Sequence, residues 1–142
     1  MTDPRSPLRA AAEWLTSAEE DLATAQLVAE HGAPPRNAAF FAQQAAEKAL
    51  KAMCAAIQTP VLRTHSLQAL LAAIAAVAPD FAQDWEAADD LTPFAVEGRY
   101  PDTARPVYRE DVEMALTLAT NLLATAREWI DAYLPPPEPP HS

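Results

Sequence analysis

The stretch FFAQQAAEKALKAMCAAI, residues 40–57, decides the fold of this chain. It contains neither proline nor glycine, and strong helix formers such as alanine, leucine, glutamate and lysine supply most of it. The apolar residues of the predicted helix that contains it recur at helical steps: Ala39, Ala46, Leu50, Met53 and Ile57. One edge of the same predicted helix carries polar residues: Gln43, Gln44, Glu47, Lys48 and Lys51. That edge is either the solvated face of a core helix or half of a site.

Four other segments show the same helical pattern, which predicts five helices in all. A first long helix ends before the prolines at 34 and 35, and a short third helix lies between Ser66 and Pro79. A fourth follows up to Pro93, and a long fifth helix comes last. The three long predicted helices cover approximately residues 8–30, 36–58 and 108–134.

Capping residues mark where the two middle helices are expected to begin. Ser66 is a good N-cap for the third helix. Asp80, with Gln83 three residues further on, fits a capping box for the fourth. Residues 93–107 contain three prolines and one of the two glycines of the chain, so they predict an ordered connection and not a helix.

The pattern predicts an all-α protein, an antiparallel up-and-down bundle of four to five helices with a short third helix. At 142 residues the chain has the size of one domain. The bundle is assigned to residues 8–134. Residues 1–7 are expected to be a flexible N-terminus, and the proline-rich residues 135–142, PPPEPPHS, a disordered tail.

Composition narrows the class of protein. No apolar run reaches the ~18 residues of a membrane span and no signal peptide is present, so a cytoplasmic protein without membrane contact is expected. The three histidines and Cys54 lack the spacing of zinc ligands, and neither a metal nor a cofactor is expected. Cys54 is either a small buried hydrophobe or a reactive thiol.

The basic residues of this acidic chain are concentrated in two segments. The net charge of −10 opposes binding to nucleic acid, because phosphate contacts supply most of that affinity. Residues 36–79 nevertheless carry +3 and residues 99–109 carry +2. The basic residues are Arg36, Lys48, Lys51 and Arg63 in the first segment, and Arg99, Arg105 and Arg109 in the second. If the fold brings the segments together they form a local anion site; otherwise the charges are scattered by chance.

Several segments, in their order along the chain, resemble the HEPN domain, a small helical bundle found widely in prokaryotes. The similarity is to the stand-alone branch marked by Gln-Gln-Ala-x-Glu-Lys-x-x-Lys-Ala, Thr-His-x-Leu and Arg-Tyr-Pro. It covers about residues 14–133 and implies a bundle that commonly forms homodimers, with a groove for nucleotides or RNA. The matching segments are AEEDLATAQLV, AAFFAQQAAEKALKAM, RTHSL, GRYP and YREDVEMAL.

The resemblance also implies two kinds of activity. Many relatives are ribonuclease toxins, or pair with a minimal nucleotidyltransferase encoded beside them. The ribonuclease members carry an arginine followed four to six residues later by a histidine, whereas here Arg63 and His65 are separated by one residue. The favoured interpretation is a homodimeric nucleotide- or RNA-associated binding module, paired with such a nucleotidyltransferase in a toxin–antitoxin-like system. The alternative is a metal-independent ribonuclease toxin with a degenerate active site.

The residues that match the motifs of the branch form the candidate site. His65 and Arg99 are the candidate catalytic residues if the protein is a ribonuclease, with imidazole suited to proton transfer near neutrality. The candidate ligand-binding residues are Gln44, Glu47, Lys48, Lys51, Arg63 and Tyr100.

Each of these residues also has a structural interpretation. Glu47 and Lys51 are four residues apart and would form a weak pair if exposed. His65 could cap the third helix or bond a neighbouring carbonyl. Arg99 could pair with an acidic residue of another helix, and Tyr100 could be a packing residue. The acidic candidates for Arg99 are Asp21, Asp89 and Asp90.

Overall fold

A computed structural model of the chain describes residues 6–96 and 106–134, and over these it contains helices and no strands. The predicted all-α class is therefore confirmed. The elements in chain order are α1 (Ser6–Glu30), α2 (Pro35–Ala56), α3 (Leu67–Ala75), α4 (Pro79–Asp84), a 3₁₀ helix (Glu86–Leu91), α5 (Pro93–Val96) and α6 (Arg109–Tyr133).

Helix α2 lies at the centre of the bundle. It packs against α1, α6 and α3, and it also touches α5 and the 3₁₀ helix. Fourteen of its 22 residues are buried, far more than one apolar stripe would cover. Alanine makes this possible, because a methyl side chain lets neighbouring helices approach closely. The helix that carries the candidate edge is thus enclosed from several sides.

Three prolines begin helices, and this explains where the predicted boundaries were wrong. Pro35, Pro79 and Pro93 are the first residues of α2, α4 and α5. Proline lacks an N–H and has a fixed φ, so it is tolerated in the first turn of a helix. The predicted cap at Asp80 is wrong, since α4 begins before it and has no side-chain cap. Likewise, residues 93–96 of the predicted connection are helical.

The start of α3 is fixed by side chains from the 3₁₀ helix and the residue after it. Asp89 Oδ1 accepts from the N–H of Gln68 at 3.0 Å and from the Thr92 hydroxyl at 2.7 Å. Thr92 Oγ1 in turn accepts from the N–H of Leu67 at 3.0 Å. The predicted cap by Ser66 is confirmed, because its Oγ accepts from the third residue of α3 at 3.2 Å. These bonds fix the end of the connection that precedes α3.

Most of the two predicted terminal segments, and part of the predicted connection, lie outside the described residues. This holds for residues 1–5 of the N-terminal segment, for the tail 135–142 and for residues 97–105 of the connection. Across the rest, no helix is both long enough and apolar enough to cross a membrane.

Cys54 is fully buried in α2. Burial raises the pKa of its thiol from 9.0 to about 11, against a smaller lowering by the charge of Lys51. Because the thiolate is the reactive form, we expect a thiol reagent at about pH 8 to label Cys54 in denaturant and not in the folded chain. The absorbance of the released chromophore measures the labelling rate. Equal rates in the folded and the denatured chain would contradict this expectation.

The same shift predicts how stability depends on pH. The thiol ionises near 9.0 when exposed and near 11 in the folded chain, so the unfolded state loses its proton first. The free energy of unfolding is therefore expected to fall as pH rises through this range. Denaturant unfolding at a series of pH values measures this fall. In Cys54→Ala the fall between about pH 9 and 11 should be smaller, while the dependence of stability on pH at lower values should stay the same.

Candidate functional site

A buried carboxylate lies at the centre of the candidate site. Glu47, on α2, is 3% exposed. Its Oε2 accepts from Lys51 Nζ at 3.0 Å, and its Oε1 lies 2.8 Å from His65 Nδ1. Oε1 also accepts from Gln43 Nε2 at 3.3 Å. We call these four residues, Gln43, Glu47, Lys51 and His65, the polar cluster.

The pair of Glu47 and Lys51 is not the exposed salt pair that its spacing suggested. Lys51 is only 9% exposed, and its ammonium lies 5.5 Å from the centre of the Trp14 ring on α1. Such a position over an aromatic face is favourable for a cation. The edge of α2 is therefore covered, because α1 and the connection before α3 pack over it. Helical spacing along α2 carries no information about these neighbours.

Gln43 belongs to the site although the sequence did not single it out as a ligand residue. Its side chain is fully buried. Its Nε2 donates to the carbonyl oxygen of His65 at 3.1 Å, and its Oε1 accepts from Gln44 Nε2 at 2.6 Å. The sequence did contain one indication of this role: Gln43 lies four residues before Glu47, which places both side chains on one face of the helix. Gln43 ties α2 to the connection, and Gln44, a partly exposed residue, extends the cluster outwards.

His65 is the exposed member of the polar cluster. It lies in the connection between α2 and α3, and its side chain is 51% exposed. It does not cap α3, which Ser66 does; its ring bonds Glu47 and its carbonyl accepts from Gln43. The structure thus brings the RTHS segment to the edge of α2, across 18 residues of sequence.

The remaining predicted residues differ in their surroundings. Lys48 Nζ lies 2.7 Å from Asp21 Oδ2 on α1, so this charge is balanced by an ion pair between helices. Arg63 is exposed and has no ion-pair partner within residues 6–96 and 106–134. Arg99 and Tyr100 lie outside the described residues, and their roles stay predictions.

The polar cluster has a defined chemical capacity. Glu47 and Lys51 balance each other's charge, and every buried side-chain nitrogen and oxygen atom in the described part of the chain has a partner. The half-exposed imidazole can exchange a hydrogen bond with a ligand. Among the described residues, no group of three acidic, histidine or cysteine side chains is arranged to hold a metal ion.

The helical bundle and the motif residues of its polar cluster agree with a known family. The sequence model of the HEPN domain family matches residues 11–129, and this range includes the whole polar cluster. The chain belongs to the HEPN domain family.

Two solved structures are similar to this chain over most of its length. The crystal structure of TT1696 from Thermus thermophilus is 36% identical, covers 83% of this chain and 96% of its own, and superposes with a TM-score of 0.69. ST0689, described as an archaeal HEPN homologue, is 25% identical, with coverages of 84% and 97% and a TM-score of 0.65. No curated protein matches the chain.

Proposed function

We propose that this HEPN domain is a binding module for a nucleotide or for RNA, and that it works with a minimal nucleotidyltransferase in a toxin–antitoxin-like system. The observation that carries the proposal is the contact between His65 and Glu47, in which a buried carboxylate holds a half-exposed imidazole. Gln44, a partly exposed residue bonded to Gln43, lies on the same edge of α2.

The members of the polar cluster hold one another in place. Gln43 and Lys51 hold the Glu47 carboxylate, and Gln43 also holds the backbone of His65. A ligand that meets His65 therefore has few side chains to immobilise. Since ordering side chains opposes binding, such a preformed surface favours recognition of a small polar group.

The charges favour a short ligand over a long nucleic acid. Lys48 and Lys51 are each balanced by a carboxylate, whereas Arg63, two residues from His65, keeps an unpaired positive charge among the described residues. The net charge of −10 repels an extended polyanion. A nucleotide or the end of an RNA strand fits this balance better than a long duplex.

The partner and the assembly rest on the family resemblance alone. We propose a homodimer, because this branch of the family commonly dimerises, and a nucleotidyltransferase as the second protein. Co-purification of the tagged chain with a minimal nucleotidyltransferase from the same genome tests the pairing, and light scattering tests the dimer.

The same contact favours one other candidate function. An imidazole held by a carboxylate is a common device for proton transfer, so a metal-independent ribonuclease that uses His65 is the alternative. The arginine spacing of ribonuclease relatives is missing from the sequence, which is why binding is proposed first.

We expect His65→Asn to weaken the binding of a short fluorescent oligoribonucleotide by about 2- to 10-fold, the effect of losing one hydrogen bond between neutral groups. Fluorescence anisotropy at low salt measures this. His31→Asn is the matched control, since it makes the same change at another exposed histidine outside the polar cluster.

Equal affinities of the two variants and the wild type would contradict a site at His65. The oligoribonucleotide is recovered after each titration and checked on a gel. Cleavage by the wild type without metal, lost in His65→Asn, would establish the ribonuclease alternative in place of the binding module.

A further inference from the structure

We infer that Glu47 is the positioning residue of this site: it holds His65 with the proton on Nδ1, so that Nε2 faces a ligand as a hydrogen-bond acceptor. The ligand then presents a hydroxyl or N–H donor to Nε2, as the ribose and base of a nucleotide do. The assignment of the proton stands on geometry alone, whereas the ligand class rests on the proposed function.

The main chain of His65 fixes the orientation of the Gln43 amide. A carbonyl oxygen can only accept, so the Gln43 atom 3.1 Å from it must be the amide nitrogen. The other end of the amide supports the same orientation, because the amide oxygen of Gln43 accepts from Gln44 Nε2 at 2.6 Å. The Gln43 side chain therefore presents an N–H, and not an oxygen, to the carboxylate of Glu47.

This orientation decides what the carboxylate can do. Oε1 of Glu47 accepts from Gln43 at 3.3 Å, and Oε2 accepts from Lys51 at 3.0 Å. In the ion pair with the Lys51 ammonium, Glu47 is a carboxylate, and a carboxylate can only accept. The ring nitrogen 2.8 Å from Oε1 must then be the donor, which places a proton on Nδ1 of His65.

The neutral imidazole has only one N–H, so fixing it on Nδ1 leaves a lone pair on Nε2. Nε2 has no hydrogen-bond partner among the described residues, and the side chain that carries it is half exposed. A carboxylate behind a histidine fixes its tautomer and ring direction in this way in many functional sites.

Holding the main chain at His65 does not require the contact. The backbone at His65 is already tied to α2 by Gln43, and the next residues are fixed by Ser66 and by Asp89 with Thr92. The bond from Nδ1 to Glu47 therefore adds the orientation of the imidazole. It also supplies a donor to the buried carboxylate, and a ligand at the exposed nitrogen would make use of the fixed orientation.

The test is long-range ¹H–¹⁵N NMR of the imidazole rings in the full-length labelled chain at about pH 8, where an ordinary histidine is neutral. Protonated and unprotonated ring nitrogens resonate at well-separated frequencies. We expect His65 to show a protonated Nδ1 and an unprotonated Nε2. His31, which has no side-chain hydrogen-bond partner among the described residues, serves as an internal reference, and His65→Asn and His31→Asn assign the signals.

Glu47→Gln tests the cause. Lys51 carries a full charge and can only donate, so it should draw the new amide oxygen although Gln43 donates towards the opposite position. The amide nitrogen then faces His65, whose Nδ1 must accept, and the proton moves to Nε2. A wild-type His65 protonated at Nε2 would overturn the inference, and that measurement needs no folded variant. A His65 pattern unchanged in a folded Glu47→Gln chain would overturn the role of Glu47.

Two probes separate the inference from the proposed function. Adenosine 5′-monophosphate should shift the Nε2 signal of His65, and inorganic phosphate, with few donor groups, should shift it much less. An equal response to both would overturn the assignment of a donor ligand. If neither adenosine 5′-monophosphate nor the oligoribonucleotide shifts the signal, the proposed function is overturned. The proton on Nδ1 would still identify Glu47 as the residue that orients His65.

Discussion

Glu47→Leu is expected to lower the free energy of unfolding by about 3–5 kcal/mol, the effect of removing one partner of a buried ion pair. Lys51 would be left as a buried ammonium without a counter-charge, since it is only 9% exposed. Gln43 and His65 would lose their common acceptor as well. Urea denaturation of the variant and the wild type measures the difference.

The chain offers a matched control for this change. Arg109 and Glu113 on α6 are also an ion pair with a four-residue spacing, but their side chains are 89% and 70% exposed. Glu113→Leu should therefore change the stability by no more than about 0.5 kcal/mol, as for an ordinary surface substitution. Comparable losses in the two variants would show that burial does not govern the effect.

A double variant separates the ion pair from the packing around it. Glu47→Leu with Lys51→Met removes both charges and keeps apolar bulk at both positions. Replacing a whole buried pair by apolar residues is often neutral or stabilising, so most of the loss should be recovered. A double variant that is less stable than Glu47→Leu would contradict the view that the uncompensated ammonium is the main cost.

Leu50→Ala is expected to cost between about 2 and 5 kcal/mol, in the upper part of that range. Leu50 is fully buried, and its neighbours along α2 include the fully buried Ala46 and Ala49. The cost of such a substitution depends on how far the surroundings collapse into the cavity. Alanine has no side-chain torsion that would let it fill the space, so the cavity should persist.

Leu27→Ala is the control for this second prediction. It makes the same change on α1 at a side chain that is 56% exposed, where little apolar area leaves the water. We expect a change within about 0.5 kcal/mol. A loss for Leu50→Ala as small as that for Leu27→Ala would mean that α2 is not the rigid centre of the bundle.

The long helices could be predicted from the sequence because their determinants are local. Helix formers and three- to four-residue apolar steps fill α1, α2 and α6, and Ser66 caps α3 through an atom only three residues away. The stretch from α4 to α5 was less predictable. Its short helices begin at Pro79 and Pro93, and they pack against α3 and α2, contacts that the local sequence does not specify.

The candidate site likewise has features that the sequence predicted and features that only the structure revealed. The motif indicated Glu47, Lys51 and His65 as residues of interest, and it placed the first two on one face of a helix. It did not indicate that Glu47 is 3% exposed, nor that Gln43 links it to the connection before α3. Lys48 was expected to bind an anion, and the structure shows it paired with Asp21 of another helix.

The sequence by itself determined the all-helical class, the extent of the long helices and the polar edge of α2. Only the tertiary structure decided that this edge is covered, and that His65 meets Glu47 across 18 residues of chain. The physical reason is the range of the interactions. Helix formation depends on neighbours within a few residues, whereas burial and the partners of a charged side chain depend on which other elements pack against it.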